Sequence, residues 1–314
     1  MIENRESVTA KLCSFARAYH SSFEHDRIFD DGLAFDMMGL DEFESIGRLI
    51  QHDFNFLKEN SYYGFDRSVV GPVLTRYITP IPVSRIAFAE AELASFIAEN
   101  PVCQYVICGA GMDSFSFRNT HRYVRIFEID HPDTQKYKKE KIRQLEWHIP
   151  ENVTFVPVDF SKDDMAERLL ENGFDPKLPA FFAVLGVLYY LTPVIFEETL
   201  KKISSISKTY TEIVFDFPDE TTFSPEAPSR VTELVSITKK LGEEMQHGYS
   251  TAEINRLLNG NGFVPCVHKT PEDIQKIFFS NRTDGLSAFE NVHFVKAGKG
   301  KIYEKNSKLY HQSR

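Results

Sequence analysis

The chain has 314 residues, 42% hydrophobic and 26% charged, enough to bury a sizeable core in one elaborated domain or two small ones. A formal charge of −9 argues against nucleic acid as the main partner, because that binding rests on basic patches. No apolar run approaches the ~20 residues that span a bilayer, and the start (Glu3, Arg5, Glu6) lacks the apolar stretch of a signal peptide. A cytoplasmic protein with no membrane partner is the expectation.

Residues 1–100 read as mostly helical. Ser7 and Thr9 can cap a segment whose apolar positions (Leu12, Phe15, Ala16, Tyr19) recur at helical spacing. Pro80 and Pro82 are expected to break the chain, with a long helix from about Ser84 to Glu99 before Pro101. Beyond residue 100 the pattern alternates. Strands are expected at 104–108, 124–129, 153–157, 180–185 and 211–216, separated by helical or irregular stretches, which predicts a mostly parallel sheet with helices on both faces.

Thr192 followed by Pro193 reads as a helix start. A Pro-rich loop (Pro218, Pro225, Pro228) precedes a helix around Val231–Leu241, and Ser250 caps another that stops at Asn259-Gly260-Asn261-Gly262. Segments near Val264–His268 and Val292–Ala297 can pair as an antiparallel hairpin at the sheet edge. From Lys299 onward the chain is polar, as a frayed terminus would be. The four cysteines (Cys13, Cys103, Cys108, Cys266) show neither CxxC spacing nor a His/Cys cluster, so neither a disulfide framework nor a metal is expected.

The richest stretch runs from Tyr105 to Pro132. An apolar run breaks into Gly109-Ala110-Gly111, and a second one ends on Asp130, 19 positions after Gly111. Strand, glycine turn, helix, strand and terminal acid is how an α/β sheet builds a nucleotide-type site. Glycines let the backbone approach the ligand, and an acid at that position can take both hydroxyls of a ribose. Ser114 is small, so the turn by itself also suits a nicotinamide dinucleotide. Further candidates recur at later strand ends: Asp159 with Phe160, then the loop after Leu185. Ligands in open α/β sheets bind at the carboxyl ends of the strands, and S-adenosyl-L-methionine spreads across four of them.

The runs GAGMDSFSFR, FEIDHPDTQKYKKEK, NVTFVPVDF and LGVLYYLTP closely resemble the leucine carboxyl methyltransferase family, including its bacterial polyketide-type O-methyltransferases. The similarity covers roughly residues 7 to 297, with FEIDHP and the downstream VDF as its most specific part. It implies a class I methyltransferase fold, α/β and Rossmann-like, with a mostly parallel seven-stranded sheet, an N-terminal helical cap and S-adenosyl-L-methionine as cofactor. It further implies one domain over 1–314: a helical cap at 1–100, a cofactor-binding core at 101–217, a lid at 218–250 and a C-terminal helix and edge hairpin at 251–298.

Residue by residue, the resemblance implies glycine-loop contacts from Gly109, Ala110 and Gly111, a ribose ligand at Asp130, and adenine contacts from Asp159 and Phe160. An Arg ahead of the glycine loop pairs with the methionine carboxylate in the family. Arg85, 24 positions before Gly109, matches, with Arg76 as the fallback and Lys11 as a candidate from the segment that folds over the cofactor. Where the family usually carries a Glu before the Gly after the fourth strand, this chain has Leu185. That change is expected to weaken cofactor binding or shift the duty to another residue.

Methyl transfer from a sulfonium needs no acid, so positioning and desolvation do most of the work. A hydroxyl acceptor would benefit from a base; Tyr190, His247 and Tyr249 are the candidates. The expected acceptor is a small molecule, aromatic or carboxylic, or a protein carboxyl group. Two other readings stay open here: a cofactor-binding homologue with little turnover, and an NAD-dependent oxidoreductase.

Overall fold

The computed structural model describes residues 7–53, 65–160 and 162–300. Among the described residues the N-terminal part is mostly helical, as expected. Ser7 caps the helix Val8–Phe23 by accepting from the Ala10 N–H, whereas Thr9 lies inside that helix. Its buried face (Phe15, Ala16, Tyr19) packs with Phe43, Ile50 and Leu74 from the following helical segments.

Pro80 and Pro82 do not break the chain. They form the first turn of a helix that runs Pro80–Glu99, directly after a π-helical stretch, Leu74–Ile78. The first backbone N–H groups of a helix have no intrahelical acceptor, so proline there gives up nothing.

Seven strands form one sheet: β1 (Cys103–Cys108), β2 (Val124–Asp130), β3 (Val153–Pro157), β4 (Ala180–Val184), β5 (Thr211–Pro218), β6 (Val264–Lys269) and β7 (Val292–Lys299). Their order is β3-β2-β1-β4-β5-β7-β6. The pairs among the first five are parallel, while β7 runs antiparallel to both β5 and β6. The expected edge pairing therefore forms, but it is not a simple hairpin: the helix Pro271–Phe278 intervenes, and β7 inserts between β5 and β6. The polar tail expected to fray reaches β7 at Lys299, and residues 301–314 lie outside the described residues.

Side chains alternate between the two faces of each strand. Val106, Cys108, Phe127, Ile129, Val184, Phe215 and Phe217 join one core, closed by Phe196, Leu257 and Leu258 from helices Pro193–Ile206 and Thr251–Gly260. Tyr105, Ile107, Ile126, Ala183 and Val214 join the other, closed by Phe88, Leu93 and Phe96 of the Pro80–Glu99 helix. Among the described residues no helix is long and apolar enough to cross a membrane.

Candidate functional site

At the end of β1 the chain turns through Gly109 (φ +72°) and Gly111 (φ +50°). A side chain is strained at such angles, so the backbone itself favours glycine at both positions. The N–H groups of Gly109 and Ala110 both donate to the Ile129 carbonyl, at 2.8 and 3.0 Å, which folds the turn against β2. Ala110 is buried and presents its backbone.

Asp130 closes β2 beside this turn. One carboxylate oxygen accepts from the Gly111 N–H and the other from the His131 N–H at 2.7 Å. Burial pushes the Asp130 carboxyl above its ordinary range, although the two N–H donors pull the other way. On the neighbouring strand, the Val158 N–H donates to the Asp130 carbonyl at 2.9 Å, which sets Asp159 next in line. The Asp159 carboxylate lies 3.8 Å from His131 Nε2 and 2.9 Å from the exposed Lys162 Nζ. Phe160 follows with 41% of its surface exposed, a large apolar ring open to a partner.

On the other side of the turn, β4 leads into Leu185, half-buried against the core under the Pro80–Glu99 helix, and Gly186 at φ +70°. Arg85, from the first turns of that helix, lies directly over Gly186. A Cβ there would sit 2.5–2.8 Å from the guanidinium, so a side chain at this position would push the arginine out of its pose. Arg85 Nη1 is 3.4 Å from Asp216 Oδ2, and Nη2 reaches only the Cys13 sulfur at 3.8 Å. Its Nε is buried and has no hydrogen-bond partner. Among the described residues the Nε–Nη2 edge, the side that binds a carboxylate through two parallel bonds, thus has no oxygen acceptor. Burial, the largest influence, would lower the Arg85 pKa, but Asp216 together with Cys13, Tyr189 and Tyr190 more than offsets it, so the group stays charged.

Of the expected site residues, the fold brings Arg85, Gly109–Gly111, Asp130, Asp159, Phe160 and Leu185 to the carboxyl ends of four adjacent strands. Arg76 stays at the surface with Tyr77 and Glu233. The first helix lies against the glycine turn, its Ala10 methyl 3.7 Å from where a Gly111 Cβ would sit. Arg17 of that helix donates to the Met112 carbonyl at 2.7 Å. Lys11 points elsewhere, pairing with Glu42 at 3.3 Å and lying over the Tyr137 ring.

Tyr190 stays near the site: its hydroxyl donates to Thr9 Oγ1 at 3.3 Å, and burial raises its pKa. The placement of Tyr249 does not suit a base. It is fully buried in the opposite core with Phe196 and Phe217, and its hydroxyl donates to the Leu191 carbonyl at 2.7 Å. His247 packs edge-on against Tyr249, with Nε2 2.9 Å from Glu253. Tyr249 packs against Phe217, whose neighbour Asp216 points to the opposite face, so the sheet lies between Tyr249 and Arg85.

Sequence reasoning missed two acids. Asp216 is fully buried; its carboxylate accepts from the Gly186 N–H at 2.6 Å and the Tyr189 hydroxyl at 2.9 Å. The available signal was an acid inside the apolar run Ile213-Val-Phe-Asp-Phe217. Glu243, from the segment expected to be a lid, accepts from the Val8 N–H at 2.7 Å and the Ser7 hydroxyl at 3.1 Å, so it caps the first helix across the site. No local pattern marks that contact.

The family model described as leucine carboxyl methyltransferase matches residues 10–204. YktD of Bacillus subtilis (strain 168), a candidate S-adenosyl-L-methionine-dependent methyltransferase, is 36% identical over 308 residues, covering 95% of this chain and 100% of that one. A similarly described protein of Mycobacterium bovis (strain BCG / Pasteur 1173P2) is 30% identical over 151 residues, 46% of this chain and 50% of its own. Among solved structures, a DUF574 family protein from Streptomyces avermitilis MA-4680 superposes with a TM-score of 0.53 at 12% identity, covering 79% of this chain and 96% of its own. A candidate methyltransferase from Thermobifida fusca YX does so at 0.51 and 14%, covering 86% and 98%. At such identities the structures speak for the fold alone.

Proposed function

Because this chain belongs to the leucine carboxyl methyltransferase family, a family of S-adenosyl-L-methionine-dependent methyltransferases, we propose that it methylates a carboxylate or hydroxyl oxygen. The acceptor would be a small molecule or a protein carboxyl group. The observation that carries this reading is the row of strand ends β3-β2-β1-β4, which sets Asp159, Asp130, the glycine turn and Arg85 over Gly186 side by side.

That row matches an extended ligand with a base at one end and an amino acid at the other. Asp159 would accept from the adenine amino group, with Phe160 against the ring. Asp130, already fixed by two N–H donors, would take the ribose hydroxyls. The Nε–Nη2 edge of Arg85, which meets no oxygen acceptor among the described residues, would hold the methionine carboxylate. The bound cofactor supplies an activated methyl group on a sulfonium whose departure needs no proton. The residues therefore orient and desolvate. A carboxylate acceptor needs no base; for a hydroxyl acceptor Tyr190 is the nearest of the three candidates to Arg85's surroundings. His247 and Tyr249 would then act as supports of the fold.

Calorimetric titration of the full chain with S-adenosyl-L-methionine, S-adenosylhomocysteine and NAD tests the cofactor, and a screen of carboxylic and phenolic acceptors with labelled methyl groups tests the reaction. Binding of both sulfur ligands but not NAD is the expected outcome. A response to NAD alone sinks the reading; binding without label transfer to any oxygen acceptor sinks its second half.

A further inference from the structure

Leu185 leaves the end of β4 without a carboxylate, yet one arrives from the next strand. Asp216 sits two residues from the end of β5, fully buried, and reaches three groups at once. It accepts from the Gly186 N–H at 2.6 Å, from the Tyr189 hydroxyl at 2.9 Å, and faces Arg85 Nη1 at 3.4 Å. Two of these groups lie just after β4, and the third, Arg85, comes from a helix position 131 residues upstream of Asp216. We propose that Asp216 is the positioning residue for Arg85. It anchors Nη1 against Gly186, so the guanidinium cannot swing to water and its Nε–Nη2 edge is presented to the ligand's carboxylate.

The argument rests on how the donors are shared. A long arginine side chain carries several rotatable bonds, and holding it in one pose before the ligand arrives removes an ordering cost from binding. Among the described residues Arg85 has one oxygen partner, Asp216, reached through Nη1 alone, while Nη2 meets the Cys13 sulfur and Nε has no partner. A bidentate pair would have consumed the carboxylate-binding edge; the end-on contact leaves it open. Asp216 would also repel an incoming carboxylate. Its charge, however, is already spread over the Gly186 N–H and the Tyr189 O–H, so the anchoring effect prevails over the repulsion.

This inference rests on the cofactor reading above, and the test separates the two. Wild type, Arg85→Ala, Asp216→Asn and the double variant are titrated with S-adenosyl-L-methionine and S-adenosylhomocysteine, with ligand-free thermal unfolding as the check on folding. Asp216→Asn is expected to weaken both ligands by about tenfold or more. Arg85→Ala should weaken them further, and the double variant should bind as Arg85→Ala does, because Asp216 acts through Arg85.

Wild-type or tighter binding by Asp216→Asn overturns the proposal, as do losses that multiply in the double variant. A loss confined to the sulfonium ligand also overturns it, since the carboxylate would then act on the ligand's positive charge directly. Should Asp216→Asn not fold, Asp216→Glu keeps the charge but shifts the carboxylate. A loss of about threefold or more is then expected, and unchanged affinity refutes the role. If wild type binds neither ligand, the cofactor reading itself has failed. If wild type binds and Arg85→Ala does not, while Asp216→Asn behaves as wild type, only the positioning role has failed.

Discussion

Glu128 on β2 and Asp216 on β5 are both buried acids on the face of the sheet that carries Ile126 and Val214, and each meets a basic residue from a helix. The Glu128 pair is saturated. Lys138 Nζ bonds to Glu128 and to the Asp113 carbonyl, Ser116 donates to the other Glu128 oxygen, and lysine and glutamate are both 1% exposed. The Asp216 pair is not. Its arginine stands 3.4 Å away, with Nε buried and unpartnered. A buried ion pair that satisfies itself has nothing left to offer a ligand, whereas one that leaves a fork of donors open implies an acceptor from outside.

The strongest way to break this contrast is Lys138→Ala. It strands a fully buried acid and should cost about 3–5 kcal/mol in denaturant unfolding. Burial already raises Glu128, so the folded variant keeps its proton to higher pH than the unfolded chain, whose value is near 4.3. Its stability should therefore fall as pH rises above that value. A variant as stable as wild type would mean that the saturated pair is not structural.

Arg85→Ala is the counterpart. Its expected signature is a loss of roughly 2–5 kcal/mol in binding of S-adenosyl-L-methionine, larger than its loss in unfolding free energy. The reverse ranking would erase the distinction between the two pairs.

Asp130→Asn sharpens the ribose end, with a loss of about 1.5–3 kcal/mol in cofactor affinity by calorimetry. The wild-type affinity should decline on acidification, and because burial raises the Asp130 carboxyl, the decline should begin at higher pH than for an ordinary aspartate near 3.9. The Asn variant should lose this pH dependence; an identical profile in both would remove Asp130 from the site.

The smallest effect belongs to Tyr249→Phe. Losing its bond to the Leu191 carbonyl should cost about 1 kcal/mol of stability and leave cofactor binding unchanged. If turnover vanished while binding and stability held, Tyr249 would regain the role of base.

Much of the fold was legible because its signals are local. Apolar runs marked the strands, Ser7, Thr192 and Ser250 cap their helices, and Gly109 and Gly111 occupy backbone angles that glycine favours. The prolines at 80 and 82 misled because the same residue that breaks a helix interior suits its first turn. His247 and Tyr249 follow β5 in sequence, but Tyr249 packs into the core on the other face of the sheet, with His247 against its ring.

Neighbouring residues and backbone preference suffice to specify the turn at Gly109–Gly111, the acids that end β2 and follow β3, and the alternation that makes an α/β sheet. Strand order and the face on which each side chain lands came only with tertiary structure. So did the meeting of Arg85 with Gly186 and Asp216. Asp216 lies 30 residues from Gly186 and 131 from Arg85, and only packing of the Pro80–Glu99 helix against β4 and β5 brings the three together. Contacts across such separations carry no periodic signature in the chain, because burial and charge balance select them only after the sheet has closed.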